Sequence, residues 1–78
     1  MTLNDLKLLI AKTLNIKEVD DQAEMGKTRG WDSLRQVQLM LALEREANIV
    51  VQPDLFGELV SVTAIAQFLT SEAVLTDA

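Results

Sequence analysis

The run SLRQVQLMLALEREA, Ser33–Ala47, constrains the fold more than any other stretch, because it reads as a helix that is apolar on two sides. Asp32 stands before it as a good N-cap, a carboxylate able to accept backbone N–H bonds from the first turn. The β-branched Ile49, Val50 and Val51, followed by Pro53, bring it to an end. At roughly 100° per residue, Leu39, Met40, Leu43 and Ala47 gather on one side. Leu34, Val37 and Leu41 gather on another, offset by roughly 150°. Glu44 falls between the stripes, while Arg35, Gln38, Arg45 and Glu46 fill the remaining flank. The other helices of so short a chain cannot easily bury both stripes. One of them is expected to meet a partner or to close over a cavity. A central helix packed on both sides is the competing arrangement.

Three further elements surround this helix. Leu3, Leu6, Ile10 and Leu14, with Leu9 beside them, place a first helix over about residues 2–14. Thr2 or Asn4 is a candidate cap, and Asp5 suits the positive end of the helix dipole. Residues 15–32 show no sustained period and contain Gly26 and Gly30, so they read as a long loop pinned to the core by Val19 and Met25. A structureless connection of that length is unusual unless it is functional. A short helix is expected over about residues 54–58. Ser61 caps a last helix over about 62–72, with Val62, Ile65, Ala66 and Leu69 on one face. The tail from Val74 onward is expected to fray. The expectation is an all-α single domain, a small helical bundle of three main helices and a short one.

Composition narrows the chemistry. With 78 residues, no Cys and no His, the chain lacks disulfides, thiolates and the usual zinc ligand sets. Its hydrophobic fraction is 49% but its aromatic fraction only 4%, so aliphatic side chains must fill the core, as in helix-on-helix packing. The net charge of −5 argues against binding a nucleic-acid backbone, and no apolar run is long enough for membrane insertion. A cytoplasmic, monomeric protein is expected.

Ser33 is the one residue whose position suggests chemistry. Without a His, no Ser-His-Asp triad is possible, and nothing in the spacing brings a lysine to it as a base. Glu18, Asp20 and Asp21 do not form a calcium loop, and there is no phosphate-binding loop. Catalytic and metal-ligating residues are therefore not expected. Ser33 either merely starts a helix or serves as an attachment point, since a helix N-terminus favours a phosphate.

GWDSLRQVQLMLALERE followed by VTAIAQFL resembles the acyl carrier protein family, and the resemblance extends over essentially the whole chain. It rests on the D-S-L tripeptide with Leu34, Val37 and Leu39 in the pattern L-x-x-V-x-L. It implies that Ser33 carries 4'-phosphopantetheine, transferred from coenzyme A by a separate Mg-dependent phosphopantetheinyl transferase, with Asp32 as the motif neighbour and cap. The arm would end in a thiol that holds acyl or aminoacyl groups as thioesters for loading and processing enzymes. The same resemblance assigns Leu34, Val37 and Leu41, with Arg35, Gln38 and Glu44, to the face that docks on those partners. Arg35, Gln38 and Arg45 depart from the acidic positions usual in carriers of fatty-acid synthesis. Together with Trp31 they point to a specialised carrier. A free-standing peptide or polyketide carrier, including the D-alanyl type, is one alternative; a small acidic adaptor without a prosthetic group is another.

Overall fold

The computed structural model describes residues 1–76. It holds three α-helices, α1 (Leu3–Leu14), α2 (Ser33–Ala47) and α3 (Val62–Ser71), with a short 3-10 helix, Pro53–Gly57, between the last two. The chain is thus all-α as expected, with the short element a 3-10 helix and not a fourth α-helix. Pro53 fixes φ at its start, and it runs Pro53–Gly57, not 54–58.

Local chemistry sets the helix ends. The Thr2 hydroxyl accepts from the Asp5 N–H at 3.0 Å, and the Asp5 carboxylate accepts from the Thr2 N–H at 3.0 Å. This reciprocal box makes Thr2 the cap, so α1 begins at Leu3 and not at residue 2. The bonds from the Thr2 backbone and hydroxyl hold the Asp5 carboxyl below its ordinary pKa, with help from the N-terminal ammonium. Asn15 and Asn48 close α1 and α2 in the left-handed region, with φ of 58° and 55°. Ser61 caps α3 by accepting from the Ala64 N–H at 3.0 Å, and that helix ends at Ser71, one residue short of expectation.

Leu6, Ile10 and Leu14 of α1 meet Leu39, Met40 and Leu43 of α2 and Ile65 and Leu69 of α3 in one buried cluster. Val19, Trp31, Val51 and Leu59 close it from the connections.

The 15–32 connection is far from structureless. Asp20 builds a turn by accepting from the Gln22 N–H at 2.8 Å, and the Thr28 hydroxyl takes the Glu24 N–H at 2.9 Å. Glu24 and Ser61 form an antiparallel bridge, with Met25 N–H donating to Val60 O at 2.8 Å and Val62 N–H to Ala23 O at 3.0 Å. From Asp20 onward the loop bonds much of its own backbone and is sewn to the start of α3. That resolves the objection its length raises.

The tail also departs from expectation. Thr76 N–H donates to Met1 O at 2.8 Å, and the N-terminal ammonium to Val74 O at 3.2 Å. Val74 and Leu75 pack on the core, so Val74–Thr76 are held, while residues 77–78 lie outside the described part. Among the described residues no helix is long and apolar enough to cross a membrane.

Candidate functional site

The site is the head of α2. Asp32 is extended and receives the Arg35 N–H on its carboxylate at 2.9 Å, while its carbonyl takes the Gln36 N–H at 2.8 Å. Ser33 follows as the first helical residue and is exposed. The cap and helix bonds serve the Arg35 and Gln36 amides. The Ser33 and Leu34 amides lie in the first turn, where no intrahelical acceptor exists. An exposed hydroxyl therefore stands beside free amide donors at the positive end of a fifteen-residue helix. Such a donor set is one that favours a phosphate oxygen.

The approach to this hydroxyl is fixed by residues on the buried side. Trp31 is buried, and its indole N–H donates to the Gln36 Oε1 at 2.8 Å. The Gln36 amide in turn donates to the carbonyls of Phe56 (2.9 Å) and Leu59 (2.8 Å). One side chain thereby ties the end of the loop, the core side of α2 and the 3-10 segment together. Just before Trp31, Gly30 has φ +82°, and a Cβ there would sit 3.1 Å from the Leu14 carbonyl. The positive φ and the close Leu14 carbonyl favour glycine at this crossing of the loop over the end of α1.

The sequence reading gives no role to Gln36. Its signal was available: it lies three and four residues before Leu39 and Met40, on their own stripe, with an indole donor five residues upstream that needs an acceptor.

The second apolar stripe faces outward, with Leu34 66%, Val37 44% and Leu41 52% exposed. Gln38 is exposed beside them. The other two residues assigned to this face are engaged inward. Arg35 is half-buried and its guanidinium donates to the Thr13 carbonyl at 3.0 Å, bracing α2 on the end of α1. Glu44 is half-buried and accepts the Val51 N–H at 2.8 Å, holding the chain after α2. Helical spacing puts both near the flank of that face, and in the fold one polar end of each is bonded to the protein's own backbone. Among the described residues no group of His, Cys, Asp and Glu could hold a metal ion.

No family model matches the chain. An acyl carrier protein of Helicobacter pylori (strain J99 / ATCC 700824) is 33% identical over 67 residues, covering 83% of this chain and 86% of that protein. Among solved structures, a chain in the one titled "The ishigamide ketosynthase/chain length factor" superposes with a TM-score of 0.72 at 27% identity. That match covers 91% of this chain and 92% of the other.

Proposed function

Because the chain belongs to the acyl carrier protein family, we propose that it carries acyl or aminoacyl groups as thioesters on a 4'-phosphopantetheine arm joined to the Ser33 hydroxyl. Members of the family are carriers, not catalysts, and this chain has no catalytic constellation of its own to set against that role. The observation that carries the assignment is the exposed Ser33 at the first position of α2, next to first-turn amides that no helical carbonyl can satisfy.

Attachment requires the Ser33 Oγ to attack the pantetheine-side phosphorus of coenzyme A. The Oγ–P bond forms, the P–O bond to adenosine 3',5'-bisphosphate breaks, and the Ser33 proton goes to a base. This chain offers no His for that purpose, so the base and the Mg²⁺ belong to the phosphopantetheinyl transferase. Once attached, the arm supplies the thiol that a chain without Cys lacks. The protein's own part is to present Ser33. Asp32 caps the helix, the Trp31–Gln36 bond fixes the loop before it, and Leu34, Val37 and Leu41 offer apolar anchors to visiting enzymes. The reading includes a monomer working in the cytoplasm with loading and processing enzymes.

Within that role, a free-standing carrier of a polyketide or peptide pathway is the second reading. The outward stripe of α2 carries Gln38, and Arg45 interrupts its acids, leaving Glu44 and Glu46 of the cluster that suits fatty-acid enzymes. The likeness to a chain in a ketosynthase/chain length factor structure supports the polyketide version.

Intact mass after incubation with coenzyme A, Mg²⁺ and a phosphopantetheinyl transferase tests the assignment. Wild type should gain one phosphopantetheine and Ser33→Ala none, with the helical spectrum unchanged because Asp32 remains as cap and Ala is a good helix former. Modification of Ser33→Ala would move the site elsewhere. An unmodified wild type would favour the adaptor.

A further inference from the structure

The charges of this chain are sorted by surface. The sequence holds 12 acids and 7 bases. Among the described residues the ion pairs are Lys7–Asp21 at 2.7 Å and Lys27–Glu24 at 3.1 Å. The other five cations have no carboxylate within 4.0 Å among the described residues. Lys12 and Arg45 lie on the seam between α1 and α2, and Lys17, Arg29 and Arg35 lie at the end of that seam, where the 15–32 connection crosses it. Lys12 and Arg45 line a cleft of about 420 Å³ whose apolar floor includes Leu9 and Leu41. Lys17, Arg29 and Arg35 line the next cleft, about 600 Å³, toward the loop that leads to Ser33. The bond from Arg35 to the Thr13 carbonyl joins the two, since Thr13 lines the first and Arg35 the second. Against these cations stand Glu46 in the first cleft and Glu18 in the second. The seam is therefore net positive in a chain whose total is −5.

We infer that this carrier docks through the α1–α2 seam, with Leu41 and its outward neighbours as anchors, onto an enzyme face lined with carboxylates. The inference rests on the carrier reading above and names its partner's chemistry. An apolar stripe alone would not say what covers it. Here it is bordered by unpaired cations, and steering between opposite charges raises encounter rates while like charges at the rim reject wrong partners. A partner with a basic face would meet Lys12 and Arg45 with the wrong sign.

The test titrates the ¹⁵N-labelled chain with two ketosynthases, one with a carboxylate-lined entrance and one with a lysine- and arginine-lined entrance. Binding to the acidic one should be the tighter, should weaken with salt, and should shift amides of Leu9, Lys12, Gln38, Leu41 and Arg45. Lys12→Glu with Arg45→Glu should weaken it by about tenfold at low salt. If the reversals unsettle the ends of their helices, Lys12→Gln with Arg45→Gln supplies the same test with a smaller loss. Wild-type preference for the basic ketosynthase, equal binding by wild type and variants, or shifts confined to the 3-10 side of α2 would overturn the inference. So would sedimentation showing that a second copy of the chain covers the seam. None of these measurements needs the arm. Failure of Ser33 to accept phosphopantetheine is read separately by mass and would sink the carrier reading instead.

Discussion

Replacing Gln36 by Leu removes the polar rivet beneath Ser33 and keeps the side-chain volume close to that of Gln. Gln36 is only 3% exposed, and all three of its hydrogen bonds lie between 2.8 and 2.9 Å. The substitution strands the buried Trp31 N–H and the Leu59 carbonyl, each costing about 1–3 kcal/mol, and the Phe56 carbonyl, which costs less if water reaches it. At about 2 kcal/mol for each of the first two groups and about 1 for the third, the gross loss is about 5 kcal/mol, and burial of the Leu side chain offsets roughly 2 of it, leaving about 3 kcal/mol, within a span of about 2–4. In a small domain that is a large share of the total stability. With a urea slope near ~1 kcal/mol per molar for this size, the unfolding midpoint should fall by about 2–4 M. The chain has one Trp, so the same residue reports the site: its emission should shift as the indole loses its acceptor. Gln36→Glu sharpens the test. A carboxylate there keeps an acceptor for Trp31 but faces two carbonyls, so burial and those oxygens raise its folded pKa above the unfolded value. Stability of that variant is then fully present below the unfolded pKa and lost as pH rises through the folded one. A Gln36→Leu loss under about 1 kcal/mol with unchanged emission would refute the account of Gln36 as the link between loop, α2 and 3-10 segment.

Gly30→Ala should cost more than about 1 kcal/mol in thermal or urea melts, since the residue sits at φ +82° with the Leu14 carbonyl 3.1 Å from the new Cβ. Asp5 is ionised at lower pH folded than unfolded, so its contribution is present above the unfolded pKa and lost as pH falls through the folded one. Asp5→Asn should flatten that part of the acid limb in a pH series of melts. Met40→Ala should cost about 2–5 kcal/mol and Val37→Ala under about 1 kcal/mol, because the first is fully buried and the second exposed. Val37→Ala should nonetheless slow loading or phosphopantetheine transfer, and equal destabilisation by both would mean that α2 is buried all round.

The elements that declared themselves in the sequence did so through local physics. Asp32 and Ser61 are caps whose side chains reach only three residues ahead, and the 3.6-residue spacing of Leu39, Met40 and Leu43 needs no knowledge of what they pack on. The exposed hydroxyl of Ser33 follows from the same cap. What stayed hidden depends on distant pairing. The bridge between Glu24 and Ser61, and the pairing of Thr76 with Thr2 and Met1, join segments whose sequences carry no mark of each other. A loop with two glycines and no period looks unstructured until its partner strand of backbone is known. Gln36 lies between these cases: its position is periodic, but its bonding partners are the Trp31 indole and carbonyls 20 and 23 residues away.

Arg35 shows how the same limit alters a functional argument. Counted by sequence, Arg35, Gln38 and Arg45 are three departures on one docking face, and reversing Arg35 would look like a change of partner preference alone. In the folded chain the Arg35 guanidinium holds the last turn of α1 through the Thr13 carbonyl, and Glu44 is equally occupied with Val51. An acid at position 35 would therefore add a charge, remove a brace between α1 and α2, and leave the Thr13 carbonyl half-buried without its donor. Any loss of loading in such a variant would mix recognition with a loosened seam. Gln38 and Arg45 carry no such bond and line the same cleft as Leu41. They are the positions at which partner choice can be altered by charge while the scaffold beneath Ser33 stays as it is.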